Sequence, residues 1–156
     1  MQGLYFEEFE VGSIITHGLR KTVTEMDNML FCNMTLNAQP LHIDKDFCER
    51  ESEFKQPLVN SLFTLGLMIG ISVNDTTIGT TIANLGMTDI NFPAPVFQGD
   101  SINVKTEIIE KRSSKSRPNA GIVTLLHRAY NQHDDLVATC TRKAFMKKQP
   151  LNSSID

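Results

Sequence analysis

The sequence is poor in cysteine and has no excess of basic residues, and each shortage excludes a class of protein. Its three cysteines, Cys32, Cys48 and Cys140, are an odd number and form no C-x-x-C pair, so neither a disulfide framework nor a zinc site is expected. Fifteen Lys and Arg oppose eighteen Asp and Glu, which gives a formal charge of -3. No overall basic field therefore attracts nucleic acid, and any anion site must be local.

A long hydrophobic run and a secretory leader are also missing. The most apolar stretch, residues 57–73, is marginal in length for a membrane span and contains four polar residues, Asn60, Ser61, Thr64 and Ser72, so a buried helix is expected there. The first ten residues are acidic and aromatic, without the basic segment of a signal peptide. We therefore expect a cytoplasmic protein without membrane contact, and a single domain over residues 1–156.

Besides a short helix over residues 44–50, with acidic residues in its first turn, two longer helices are predicted in the first half of the chain. Residues 24–27 have the spacing of a capping box, with Asp in place of Glu or Gln, so a helix is expected to start there. A more apolar helix is predicted over residues 58–73, with Pro57 at its opening. It contains Gly66 and Gly70, and a helical glycine costs about 1 kcal/mol relative to Ala. We therefore expect another backbone or a ligand to approach these glycines closely.

From residue 79 onward the pattern becomes that of β-strands. Residues 101–111 alternate apolar and polar side chains, which is the period of a half-buried strand. Further strands are predicted over residues 122–131 and 136–147, so the three form an antiparallel meander. One face of such a sheet must be covered, and the helix at 58–73 is the only element apolar enough. The pattern predicts an α+β domain with an antiparallel β-sheet wrapped around a central helix.

Polar side chains are concentrated between the two helices, in residues 35–44. Four lie within eight positions: Asn37, Gln39, His42 and Asp44. Pro40 interrupts any helix and restricts the preceding residue to an extended conformation, so a loop that holds polar groups in place is predicted. The simplest interpretation is a capping loop, in which Asn37 and Asp44 bind backbone N–H groups and His42 is merely packed.

Three segments carry a resemblance to a known family. Residues 37–42 read Asn-Ala-Gln-Pro-Leu-His and residues 54–61 read Phe-Lys-Gln-Pro-Leu-Val-Asn-Ser. They resemble the signature of the MaoC-like, (R)-specific enoyl-CoA hydratases, Asp-x-Asn-Pro-(apolar)-His followed by Phe-Gly-x-Pro-(apolar)-x-His-Gly. Residues 92–100 are similar to the later Phe-x-x-Pro-Val-x-x-Gly-Asp segment of that family. A narrower resemblance, to the branch that includes mesaconyl-CoA hydratase, lies in residues 84–87, 111–118 and 127–132.

The resemblance implies both a fold and an activity. The fold is the hotdog, and the activity is reversible addition of water across the α,β-double bond of an acyl-CoA. No metal or redox cofactor is implied, and CoA is present only as part of the substrate. A homodimer or larger homo-oligomer is implied, with the site at the subunit interface. The narrower branch implies a small, branched or dicarboxylic acyl group.

The sequence departs from the family signature at the catalytic carboxylate. The family's Asp is Asn37, its motif Asn is Gln39, and its His-Gly is Asn60-Ser61. A carboxamide has no basic lone pair with which to take a proton. In one interpretation His42 acts alone as base and acid, Asn37 orients the water, and Asp44 is a candidate substitute carboxylate. In the others the domain only binds an acyl-CoA, or is a hotdog thioesterase.

Substrate-binding residues are predicted at a helix start and in a basic turn. Backbone N–H groups near Asn60-Ser61 suit a thioester carbonyl, although N-capping is an equal alternative, and Gly66 leaves room for the pantetheine or acyl chain. Residues 111–117 contain four cations and three hydroxyls, which favours binding of CoA phosphates, including those bound to a neighbouring subunit, over a merely solvated turn. The residues assigned to substrate binding are Gln39, Asn60, Ser61, Gly66, Lys111, Arg112, Ser116 and Arg117.

Overall fold

The computed structural model describes residues 2–150. Its helices are α1 (Glu25–Met34), α2 (Pro40–Ile43), α3 (Lys45–Glu51) and α4 (Ser61–Thr76). Its strands are β1 (Ile14–Thr16), β2 (Lys21–Thr22), β3 (Thr81–Asn91), β4 (Ser101–Ser113), β5 (Ala120–Tyr130) and β6 (Leu136–Lys147). A short 3-10 helix, Phe6–Glu8, precedes them.

The strands form one antiparallel sheet, in the order β1-β4-β5-β6-β3, with β2 also paired to β4. The central strands β4, β5 and β6 follow one another along the chain, so the predicted meander is confirmed. Strand β3 pairs with β6 on one side and ends the strand order. Its outer edge is therefore available to another strand.

Helix α4 covers one face of this sheet. Its buried Met68 and Ile71 belong to a core cluster that also contains Val104 of β4, Ala129 of β5 and Cys140 of β6. The helix supplies the apolar surface that the alternating strands require on their inner face. The predicted α+β architecture, an antiparallel sheet wrapped around a central helix, is confirmed, and it is the hotdog fold that the resemblance implies.

The start of the central helix was predicted three residues too early. Val59 donates its N–H to the carbonyl of Val96 at 2.9 Å, and Leu58 forms a β-bridge with Phe97, so both residues are held in extended backbone. Asn60 then caps the helix, since its side-chain oxygen accepts the N–H of Leu62 at 3.0 Å. Pairing with a distant loop thus overrides the helical pattern of these residues.

The polar stretch 35–44 is less loop-like than predicted. Pro40 does not only interrupt a helix, because it also opens the single turn of α2. At a first helical position the missing N–H of proline costs nothing and its fixed φ is favourable. The capping box at the start of α1 is confirmed: Thr24 Oγ1 accepts the N–H of Asp27 at 3.2 Å, and the Asp27 carboxylate accepts the N–H of Thr24 at 2.8 Å.

Two of the exclusions made from the sequence can be compared with the fold. The three cysteines are free and buried, so no disulfide framework is present. No helix within residues 2–150 combines the length and the apolar character needed to cross a bilayer. The expected cytoplasmic location stays a prediction.

Candidate active site

His42 lies in the single turn of α2, with its ring orientation fixed by a backbone carbonyl. Its Nδ1 is 2.7 Å from the carbonyl oxygen of Leu58, and its own N–H donates to the carbonyl of Gln39 at 2.9 Å. A carbonyl oxygen only accepts, so Nδ1 carries the proton and the lone pair of the neutral ring belongs to Nε2. The side chain is half-buried. This tautomer prepares Nε2 to take a proton.

Asn28, a residue that the sequence analysis did not single out, ties the site together. It is 4% exposed, and its amide nitrogen donates to the carbonyls of His42 at 2.9 Å and Leu58 at 3.4 Å. Its amide oxygen accepts the N–H of Asn60 at 2.9 Å. One side chain thus joins α1 to the turn of His42, to the carbonyl that orients the imidazole and to the cap of α4.

Asn37 is positioned by the end of α1. Leu36 adopts a positive φ of 57°, the N–H of Leu36 donates to the carbonyl of Asn33, and the N–H of Asn37 donates to the carbonyl of Cys32 at 2.9 Å. This pair of bonds is the Schellman motif, in which glycine is the usual left-handed residue. The side-chain oxygen of Asn37 accepts the N–H of Gln39 at 3.2 Å. One of its two lone pairs is therefore used before any water binds.

Asp44, the candidate substitute carboxylate, caps a helix. Its Oδ1 accepts the N–H of Phe47 at 2.9 Å, at the start of α3. The capping role that the simplest interpretation gave to Asp44 is thus confirmed. This carboxylate is therefore engaged at the start of α3.

An apolar cavity of about 230 Å³ opens beside Leu58, the residue whose carbonyl holds His42. The segment before α4 contributes Leu58 and Val59, the helix contributes Ser61 and Thr64, and the loop that resembles the later family segment contributes residues 92–96. Leu58 therefore borders the cavity while its carbonyl holds His42. The residue that orients His42 thus also borders the candidate place for an acyl group.

The residues predicted at the helix start have different positions. Asn60 is buried, at 3% exposure, and acts as the N-cap, so its side chain is engaged by the protein. Ser61 is exposed and lines the cavity. Apart from its chain neighbours and the nearby backbone of α4, a Cβ placed on Gly66 or Gly70 would meet no atom of residues 2–150 within 4 Å. Within the described chain, the predicted close approach at these glycines is therefore absent.

The basic turn does not form one cluster. The ammonium of Lys111 donates to the carbonyls of Phe6, Glu7 and Phe9, at 3.4, 3.0 and 2.6 Å. That contact fixes the N-terminal segment to the sheet, so this ammonium is not available to a phosphate as the prediction requires. The turn's remaining assigned residues diverge, as Arg112 and Ser116 line an open groove of about 490 Å³.

Arg117 lies on another side of the turn. Its guanidinium stacks over the ring of Phe145, 5.7 Å from the centroid, and it borders a cavity of about 750 Å³ with Lys147 and Lys148. Neither His42 nor Leu58 lines this cavity. Leu58, whose carbonyl holds His42, forms a β-bridge with Phe97 shortly before β4 starts, and the basic turn follows the other end of that strand. Thirteen residues of strand span about 40 Å.

A family comparison agrees with this arrangement. The profile of the family described as MaoC like domain matches residues 8–131. The chain belongs to the MaoC-like domain family. The resemblance that residues 37–42, 54–61 and 92–100 carry is thereby confirmed.

Relatives of this MaoC-like domain include enzymes and solved structures. The β-methylmalyl-CoA dehydratase of Chloroflexus aurantiacus is 28% identical over 97% of the chain and 42% of its own length. The 3-hydroxybutyryl-CoA dehydratase of Methylorubrum extorquens is 33% identical over 69% of the chain and 65% of its own length. The crystal structure of the MaoC-like dehydratase from Rhodospirillum rubrum has a TM-score of 0.83 and 26% identity, over 96% of this chain and 100% of that one. The chain thus spans less than two thirds of both enzymes.

Proposed function

We propose that this MaoC-like domain catalyses the reversible hydration of a short 2-enoyl-CoA to a 3-hydroxyacyl-CoA, with His42 as general base and general acid. The observation that carries the proposal is the 2.7 Å contact between His42 Nδ1 and the Leu58 carbonyl, which assigns the lone pair of the ring to Nε2, and Leu58 itself borders an apolar cavity. Relatives named as dehydratases of CoA thioesters support the reaction class.

One histidine supplies both proton transfers. Nε2 of His42 takes a proton from water while the oxygen of that water adds to the β-carbon of the enoyl group. The electron pair of the double bond moves to the thioester oxygen, and the imidazolium then returns the proton to the α-carbon. The product has gained one water, and the ring is neutral again. A neutral imidazole accepts a proton and the imidazolium donates it, so one ring can act in both directions.

Asn37 and the start of α4 complete the proposed machinery. The amide oxygen of Asn37 accepts the N–H of Gln39 with one lone pair and orients the attacking water with the other. Gln39 assists substrate binding. Since Ser61 is the first residue of α4 and lines the cavity, we assign the thioester oxygen to the N-terminal N–H groups of this helix. Donors at a helix N-terminus stabilise the negative charge that develops on this oxygen.

The size of the cavity favours a short acyl group. A volume of about 230 Å³ corresponds to roughly eight water molecules at the density of the liquid, which is the scale of a small acyl group. The lining is apolar, apart from Ser61 and Thr64. A small branched acyl group suits this space.

A homodimer is part of the proposal. Strand β3 has an outer edge with large exposed apolar side chains, Ile82, Leu85 and Ile90, and Leu62 of α4 is 59% exposed. Gly66 and Gly70 lie open on the same helix. Edge strands of this kind pair with another chain, and a second copy would cover β3 and approach the glycines of α4. In such a dimer, Arg112, Ser116 and Arg117 are assigned to the CoA of the neighbouring subunit.

The decisive experiment follows both the acyl group and the thiol. Purified protein is incubated with crotonyl-CoA while the enoyl absorbance is recorded. The mass of the product is determined by mass spectrometry, and a thiol reagent detects free CoA. We expect loss of absorbance and an intact CoA ester that is heavier by one water. Release of thiol would instead identify a thioesterase. Binding without either change would identify a non-catalytic acyl-CoA-binding module. The amide at position 37, in place of the catalytic carboxylate, is the observation that favours this last alternative.

A further inference from the structure

Thr64 places a hydroxyl in the wall of the apolar cavity. The residue lies in α4 and is 2% exposed. It lines the cavity of about 230 Å³ together with Leu58, whose carbonyl holds His42. Only two of the side chains that line this cavity are polar, Ser61 and Thr64, and of these two only Thr64 is buried. One buried hydroxyl therefore belongs to an otherwise apolar enclosure.

The other buried hydroxyls of α4 are satisfied by the helix itself. Ser72 Oγ donates to the carbonyl of Ile69 at 2.7 Å, and Thr76 Oγ1 donates to the carbonyl of Ser72 at 2.5 Å, as hydroxyls in helices commonly do. The hydroxyl of Thr64 makes no hydrogen bond within residues 2–150, where the one hydroxyl that the protein encloses without a partner is that of Thr80. It therefore opens into the cavity that its residue lines.

A hydroxyl in this position favours one kind of occupant. It can donate one hydrogen bond and accept others, and a buried hydroxyl without a partner is unfavourable. A water molecule in the cavity meets this requirement in the free protein. A purely alkyl acyl group that displaces the water leaves the hydroxyl unpaired, whereas an acyl group with an oxygen at this level restores the hydrogen bond. The cavity is thus suited to an acyl group that carries an oxygen atom.

The spacing along α4 indicates which oxygen this is. Ser61 is the first residue of the helix, where the N–H groups are assigned to the thioester oxygen. Thr64 follows three residues later on the same side of the helix, about 4.5 Å further along its axis. Three bonds separate the thioester carbon from an oxygen on C3 of the acyl group, which is about 3.8 Å when the bonds are extended. An acyl group that lies along the helix therefore presents its C3 oxygen to Thr64.

We infer that Thr64 binds the oxygen on C3 of the acyl group, which is the oxygen of the attacking water before the reaction and of the 3-hydroxyl group after it. The inference rests on the proposed hydratase function and adds a substrate-binding residue to it. One proton of the water goes to Nε2 of His42, and the other stays on the new 3-hydroxyl group. The Thr64 hydroxyl donates to this oxygen and keeps its own proton, so Thr64 positions the oxygen without exchanging a proton.

The test compares two ligands that differ by one hydroxyl group. Calorimetry measures the Kd of (R)-3-hydroxybutyryl-CoA and of butyryl-CoA in the His42→Ala background, so that the hydroxy ester is not dehydrated. Thr64→Val replaces the hydroxyl by a methyl group of similar size. We expect it to weaken binding of the hydroxy ester about 5- to 10-fold, the usual contribution of one hydrogen bond, and not to weaken binding of butyryl-CoA. Thr76→Val makes the same change at a hydroxyl that the helix already binds, so it should leave the ratio of the two Kd values unchanged.

Further variants separate the outcomes. Thr64→Ser keeps the hydroxyl and should retain the preference for the hydroxy ester, and Thr64→Ala provides the comparison if the Val variant does not fold. A ratio of the two Kd values that Thr64→Val leaves unchanged, or an equal weakening of both ligands, would overturn the inference. If the preference exists and is lost in Thr64→Val, but the wild type hydrates no crotonyl-CoA, the proposed function alone would be contradicted.

Discussion

The imidazole of His42 donates from Nδ1 to the carbonyl oxygen of Leu58 at 2.7 Å. The bond joins two segments that are separated by sixteen positions, and the same carbonyl belongs to the residue that borders the apolar cavity. The orientation of the proposed base and the wall of the proposed acyl site are thus set by one residue. This coupling means that the ring cannot rotate without losing a hydrogen bond.

The first prediction is loss of hydration in His42→Ala. General acid–base catalysis by one side chain contributes about 10²- to 10⁴-fold, so kcat/KM for crotonyl-CoA should fall by at least the lower value. The fold should persist, because the side chain is half-buried. His133→Ala, in an exposed turn, is the control with the same change, and circular dichroism checks both variants. Equal turnover of His42→Ala and the parent would contradict the proposed base.

The second prediction concerns Asn37→Asp. A carboxylate can accept the N–H of Gln39 as the amide oxygen does, so the variant should fold, and it gains a base beside the motif histidine. We expect kcat/KM to rise about tenfold, with a new dependence on a carboxylate pKa in the acidic limb of the pH profile. Steady-state rates from pH 4.5 to 8 measure it. A folded variant with an unchanged rate and pH profile would show that position 37 does not contact the reacting water.

The sequence predicts those structural features whose interacting residues are close together along the chain. The capping box of Thr24 and Asp27 joins residues three apart, and the alternation in β4 to β6 reflects one buried face. Asn28 could not be assigned in this way, since its acceptors lie 14 and 30 positions away. Lys111 likewise meets carbonyls more than 100 positions earlier. Its sequence neighbours indicated a phosphate site, whereas its actual contacts are decided by tertiary packing.

The third prediction assigns a positioning role to Asn28. Asn28→Ala leaves the N–H of Asn60 and the carbonyl of His42 without this partner, while the Leu58 carbonyl keeps only Nδ1 of His42. Each unsatisfied buried group costs about 1–3 kcal/mol. We expect lower stability in urea and a lower kcat with a smaller change in KM, because the His42 turn loses its anchor. Asn33→Ala, on an exposed position of the same helix, is the matched control.

Asn28→Asp separates positioning from stability alone. The carboxylate keeps an acceptor for the N–H of Asn60 but has no donor for the carbonyl of His42. A role in positioning predicts a reduced kcat and a shifted basic limb in the pH profile, even at temperatures where the variant is folded. If kcat matched the parent under those conditions, Asn28 would be a purely structural residue.

The fourth prediction is a loss of stability in mild acid that depends on His127. Burial, then the charge of Arg142, lowers the pKa of His127 to about 3, while the unfolded chain titrates near 6.5. Between these values the unfolded state binds the extra proton, so the contribution of His127 is present above pH 6.5 and is lost as the pH falls. From pH 7.5 to 5.0 this amounts to about 2 kcal/mol. Urea unfolding at both pH values should show a smaller decrease in His127→Gln than in the wild type, and no such difference in His133→Gln.

The fifth prediction divides the basic turn by function. Lys111→Met removes the ammonium that binds three carbonyls of the N-terminal segment, so it should lower stability and leave the affinity for crotonyl-CoA unchanged at temperatures where the protein is folded. Arg112→Ala and Arg117→Ala should leave stability nearly unchanged and weaken CoA-ester binding, with an effect that diminishes at high salt because exposed charges are screened.

The basic turn and the turn of His42 lie at opposite ends of β4. For this reason we propose that the arginines bind the CoA of the neighbouring subunit. A mixed dimer tests this arrangement. The mixed dimer combines one His42→Ala subunit with one subunit that carries Arg112→Ala and Arg117→Ala. If the arginines act across the interface, one site has an intact His42 from the second subunit and intact arginines from the first. The other site has lost both. If the arginines act across the interface, the intact His42 of the second subunit is served by the unaltered arginines of the first, and half of the wild-type activity should remain at low substrate concentration. Activity no higher than that of the double-arginine homodimer would instead mean that each turn serves its own subunit, or that the turn does not bind CoA.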